Sequence, residues 1–146
     1  MNTEFQDRFE YFKKSGKLPS DVKVNIVVTP NENNAYQNAL DAALLKQNDV
    51  PADEKIDIFL IEADYALKYV DSDYTLDVVT DIGLSKDALA DQYQYTKDIV
   101  TDSKGVQKGT TWQATPGLFA YRRSIAKDVL GTDDPDAVQA QLSSWD

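Results

Sequence analysis

The chain has 146 residues, 42% of them hydrophobic, which is the length and apolar content of one ordinary domain with a core. Fifteen basic residues against twenty-five acidic ones give a formal charge of −10, a balance that repels nucleic-acid phosphates and anionic membrane surfaces. No Cys and no His are present, which excludes disulfides, thiol nucleophiles, zinc-hydrolase chemistry and a Ser-His-Asp apparatus, and leaves no cofactor or metal implied.

In chain order, Phe5, Phe9 and Phe12 recur at helical spacing and Gly16 supplies a stop, so the first element is expected to be a helix. Pro19 and Ser20 mark a turn. Val22, Val24, Ile26 and Val28 then alternate with Lys23, Asn25 and Val27, the pattern of a strand with one buried face, ended by Thr29-Pro30. The polar run Asn31-Glu32-Asn33-Asn34 supplies an N-cap for a helix carrying Tyr36, Leu40, Ala43, Leu44 and Gln47. After a loop containing Pro51, Ile56-Asp57-Ile58-Phe59-Leu60-Ile61 reads as a strand covered on both faces.

A helix is expected over about 63–70, a break at Asp71-Ser72-Asp73 and a short extended piece at 76–79. Further helices are predicted from a cap at Ser85 and over 93–100, with a turn after them at 102–105. The Thr- and aromatic-rich stretch 109–121 reads as two extended segments joined at Thr115-Pro116-Gly117. A helix over 123–130 stops at Gly131, and Asp134-Pro135 starts the last one, ending near Leu142. Strands alternating with helices imply a parallel sheet covered on both faces, a three-layer α/β/α fold.

The residues that could carry chemistry are few. Asp71, Asp73, Asp133, Asp134 and Asp136 stand where caps and solvated loops ordinarily place acids, and the Gly and distant Glu of a calcium loop are missing after Asp71. The six Gly form no phosphate-cradling pattern. In an open α/β sheet, ligands bind beyond the C-terminal ends of the strands. Three polar places would lie there: Asn31 to Asn34, Glu62 with Asp64, and Trp112-Gln113 with Thr115. Taken singly, each reads equally as a cap, a helix-start acid or a core ring. Together, amides and carboxylates beside a Trp face suit a neutral polyhydroxylated ligand such as a sugar.

Two stretches resemble the extracellular solute-binding proteins of ABC importers, in their carbohydrate-binding group. Lys55-Ile56-Asp57-Ile58-Phe59-Leu60-Ile61-Glu62-Ala63-Asp64-Tyr65 is similar to that family's strand with a closing acid, with Ile56 where Pro is usual. The segment GTTWQATPGLFAYRRSIAKDVLG, residues 109–131, resembles the exit from the first lobe through the hinge, and Asn2-Thr3-Glu4-Phe5 resembles the start of the first helix. The closing Ser144-Trp145-Asp146 matches in outline.

The resemblance implies an incomplete periplasmic-binding-protein-like (type II) fold, with residues 1–121 as a first lobe lacking its leading strand and 122–146 as the hinge exit and start of a second lobe. It further implies non-catalytic capture of a carbohydrate for import, with Asn2, Glu4, Asn34, Asp64, Trp112 and Gln113 as contacts and ABC permease subunits as partners. The location implied is extracellular, as a lipoprotein or in a periplasm, with the signal segment already removed. Open strand edges would invite self-association. Two rival readings are the lobe of a carboxylate-based glycoside hydrolase, which needs two acids facing across a cleft, and a non-catalytic interaction module of the flavodoxin-like receiver type, whose acidic cluster is missing at Thr29-Pro30-Asn31.

Overall fold

The computed structural model describes residues 3–115 and 117–144, which pack as two compact units, Met1–Tyr74 and Thr75–Asp146. The secondary structure is helical. In the first unit α1 is Glu4–Lys14, α2 is Ala35–Leu45 and α3 is Ala66–Val70; in the second α4 is Gln94–Ile99, α5 is Arg123–Leu130 and α6 is Pro135–Gln141.

The expected three-layer α/β fold is overturned. Among the described residues there is no sheet, and the β-type pairing consists of an isolated antiparallel bridge between Thr101 and Gln107. The two expected strands, over 22–28 and 56–61, are irregular and carry no ladder. Val27 is 77% and Ile58 83% exposed. The physical reason is that alternation specifies which faces could be buried, whereas a strand is stabilised by partner backbones and cross-strand neighbours. Two short parallel runs fall below the three or more strands that an independent sheet needs. The extended segments expected over 109–121 likewise form no strand among the described residues, and Pro116 lies outside them.

Helices obey the local signals more closely. Helix α1 holds Glu4 and Asp7 in its first turn and Lys13 and Lys14 in its last, complementing the helix dipole at both ends. The Thr3 hydroxyl donates to the Asp7 carboxylate at 3.0 Å. Gly16, at φ +73, closes the turn at the end of α1. Asn33 and Asn34 sit at φ 52 and 60, a left-handed region that Asn tolerates better than most residues, and they aim the chain into α2. In α6 the Asp134 carboxylate accepts from Ala137 N–H at 3.0 Å with Pro135 in the first turn, as the sequence predicts. Ser85 also caps, accepting from Ala88 N–H at 3.1 Å, but it starts a single 3-10 turn, Asp87–Leu89, rather than a helix.

The core of the first unit is Leu40, Leu44 and Tyr69, with Tyr36, Ile56, Phe59, Ile61 and Tyr65 packed around them. Tyr36, Leu40 and Leu44 recur every four residues and form the buried stripe of α2. The Phe59 and Tyr65 rings meet Tyr69 edge-on, with centroids 5.6 and 6.2 Å away. Although the run 56–61 has no strand partner, α2 and the residues just after it bind its backbone. The Gln47 amide donates to the Ile56 carbonyl at 2.8 Å and accepts from its N–H at 3.0 Å, and the Tyr36 hydroxyl donates to the Leu60 carbonyl at 2.6 Å.

The second unit buries Val78, Leu89, Thr96, Val100, Ala126 and Val138. Its expected extended piece near 77 is instead a turn in which the Asp77 carboxylate accepts from Val79 and Thr80 N–H at 2.7 and 3.1 Å. These bonds hold the Asp77 carboxyl below its ordinary range. At 101–107 the Asp102 carboxylate accepts from Lys104 and Val106 N–H at 2.9 and 2.8 Å, and Gly105 takes φ +81 to close the turn. Helix α5 ends at Gly131, at φ +75, and packs against α6. The Tyr121 hydroxyl donates to the Asp133 carbonyl at 3.2 Å, while Arg123 pairs with the Asp133 carboxylate at 3.1 Å.

Candidate binding site

The first unit brings together two of the three polar places read from the sequence. Asn31, at the end of the first apolar run, donates through Nδ2 to Glu62 Oε1 at 3.4 Å, at the end of the second. Both side chains are exposed. They are joined from below, because α2 starts just after Asn31 and its Tyr36 hydroxyl anchors Leu60, two residues before Glu62.

Glu62 also shapes the chain beyond it. Its carbonyl accepts from Tyr65 N–H at 3.2 Å, a turn that leads into α3 and leaves Asp64 exposed on its outer side. The Tyr65 ring is half-buried against Tyr69, and its phenol is pushed up, first by burial and then by the Glu62 carboxylate, with smaller contributions from Tyr36 and Asp64. Burial likewise pushes the Tyr36 phenol up, against the pull of its bond to Leu60. Two amphipathic rings, one amide and two carboxylates therefore share one face of the unit.

Behind that face lies a second cluster. Lys68 donates to the Asp41 carboxylate and lies 5.3 Å from the Tyr69 ring centroid, while the Tyr69 hydroxyl donates to the other Asp41 oxygen at 2.9 Å. The Lys68 hydrogen bond holds the Asp41 carboxyl below its ordinary value, and burial followed by the Asp41 charge pushes the Tyr69 phenol well up. This cluster ties α2 to α3 and so fixes the turn that carries Glu62, Asp64 and Tyr65.

The remaining expected contacts are placed elsewhere. Asn2 lies outside the described residues. Glu4 is paired with Arg8 at 2.8 Å along α1, in an open depression lined by Thr3, Glu4, Asp7, Arg8 and Tyr11. Asn34 is the left-handed residue at the start of α2, exposed and making no side-chain cap. Trp112 and Gln113 are exposed in the second unit, just after Thr111, whose hydroxyl donates to the Thr96 carbonyl at 3.3 Å. Sequence reasoning singled out Asn31 and Glu62 as places but not as contacts, and it overlooked Tyr36 and Tyr65. The signal for Tyr65 was its position three residues after Glu62, the span of the turn that brings the two together.

Among the described residues no group of three or more acidic side chains could hold a metal ion. No described helix is long and apolar enough to cross a membrane. Comparison of the chain with protein families, with characterised proteins and with solved structures finds no match.

Proposed function

We propose that the chain is a non-catalytic binder of carbohydrate, the substrate-capturing component of an ABC importer working outside the membrane, with permease subunits as its partners. The observation that carries the binding part of this reading is the Asn31–Glu62 hydrogen bond beside Tyr36 and Tyr65. A sugar presents hydroxyls that both donate and accept, and C–H faces that stack on rings. An amide, carboxylates and half-buried phenols on one face meet both needs. The transport part is supported by the resemblance of residues 55–65 and 109–131 to solute-binding proteins.

Titration calorimetry of this chain against a panel of mono- and oligosaccharides tests the binding part. Binding is expected for at least one glycan, weaker than the roughly micromolar affinity of a complete cleft, which corresponds to on the order of 8 kcal/mol. Glu62→Gln and Tyr65→Ala are each expected to weaken it by about tenfold, close to 1.4 kcal/mol. Absence of heat with every glycan, or equal affinity in both variants, would remove the carbohydrate assignment.

A further inference from the structure

The segment 22–28 is the largest unclaimed backbone surface in the first unit. Among the described residues, no backbone hydrogen bond joins residues 23–29 to any other segment. Val22, Val24, Val27 and Val28 are all at least 45% exposed, and Ile26 is 38% exposed. The comparable run at 56–61 is already engaged, by Gln47 at Ile56 and by Tyr36 at Leu60. Pro19 and Pro30 bound the open segment on either side, since Pro cannot donate to a ladder. An exposed run of β-branched residues with free edges is a template for another strand.

We propose that segment 22–28 pairs antiparallel with the same segment of a second copy of this chain, about a two-fold axis at Asn25. The sequence of the segment is self-complementary in that register. Val22 would face Val28 and Val24 would face Ile26, twice over, so that one side of the paired ribbon is wholly apolar. On the other side Asn25 meets Asn25 and Lys23 meets Val27, so no like charges stand opposite each other. Charge selects the segment as well. In a chain of formal charge −10, residues 22–31 hold one ionisable side chain, Lys23, so repulsion between copies is weakest there. The pairing is isologous and closes on itself, which gives a dimer rather than a filament. One strand per partner is far fewer than the roughly 20–30 residues a side of a standard interface, so the dimer exchanges rapidly and builds at high concentration.

The natural absence of Cys makes the register directly measurable. Asn25→Cys places two thiols across the axis, and Cα atoms opposite each other in an antiparallel pair lie about 4.5–5.5 Å apart, within disulfide reach. Val27→Cys, in the same exposed segment, places its two thiols four residues out of step, about 13 Å apart at strand rise. Under mild oxidation at about 100 μM protein, above the dimer threshold expected for so small an interface, the Asn25→Cys chain should convert to a covalent dimer at least ~10-fold faster than the Val27→Cys chain. Light scattering on the unmodified chain should show mass rising with concentration, and Ile26→Pro should abolish that rise while leaving the helical circular dichroism unchanged. Equal crosslinking of the two Cys variants, or a monomer throughout the concentration range, overturns the proposal; so does dimerisation that survives Ile26→Pro.

Discussion

The side-chain amide of Gln47 meets the backbone of Ile56 as one strand meets another, giving a hydrogen bond to its carbonyl at 2.8 Å and taking one from its N–H at 3.0 Å. Both groups are partly buried, so neither backbone atom has full access to water as a substitute. Gln47→Ala leaves both unpaired and should destabilise the first unit by about 1–3 kcal/mol. Gln47→Glu keeps the acceptor and loses the donor, and should fall between Ala and the native residue. Urea unfolding followed by tyrosine fluorescence reads the order of the three.

Leu44 is 3% exposed at the centre of the cluster with Leu40 and Tyr69. Leu44→Ala opens a cavity there, at an expected cost of about 2–5 kcal/mol. Leu45, its neighbour, is 72% exposed, and Leu45→Ala should change stability by less than about 0.5 kcal/mol. A similar loss for both variants would mean that α2 does not bury the face assigned to it.

Asp134→Ala removes the cap on α6 and should cost about 1 kcal/mol. Asp134→Asn retains a side-chain acceptor and should recover most of that. Helical circular dichroism during thermal unfolding is the measurement, and an Asn variant no better than Ala would argue against the cap.

Legibility tracks the distance over which each signal acts. Asp134-Pro135, Gly131 and Gly16 work within a turn of their own position, and the helix ends they mark are where the sequence places them. The alternation over 22–28 was equally clear, but a strand depends on partner backbones that no local pattern supplies. Gln47 shows the same limit on a smaller scale. It continues the helical spacing of Tyr36, Leu40 and Leu44, yet α2 ends at Leu45, and Gln47 serves as a lateral partner to Ile56. In the site, Asn31 and Glu62 were visible as polar groups at the ends of apolar runs. Their meeting across 31 residues, and the half-burial of Tyr36 and Tyr65, depend on packing and could not be read from spacing.

The Asp41 and Tyr69 pair predicts the pH limits of the first unit. The folded carboxyl of Asp41 titrates below its ordinary 3.8, so the stability it contributes is fully present above that value and is lost as pH falls through the folded pKa. The folded phenol of Tyr69 titrates above its ordinary 10.0, so its contribution is intact below pH 10 and is lost as pH rises beyond it. Asp41→Asn should flatten the acid limb of a stability-versus-pH curve and Tyr69→Phe the alkaline limb. Because the Lys68 side chain is 51% exposed, the acid limb should also shrink in high salt.

The turn at 101–107 and the α5–α6 corner at Gly131 to Asp134 have one property in common, which is that their bonds join residues a few positions apart. Contacts of that kind form without a search through chain space, on the microsecond scale of hairpin and helix closure. These two corners are therefore the natural starting points for folding of the second unit, and slow steps should come from the distant joins, Lys108 to Thr75 and Gln107 to Val78.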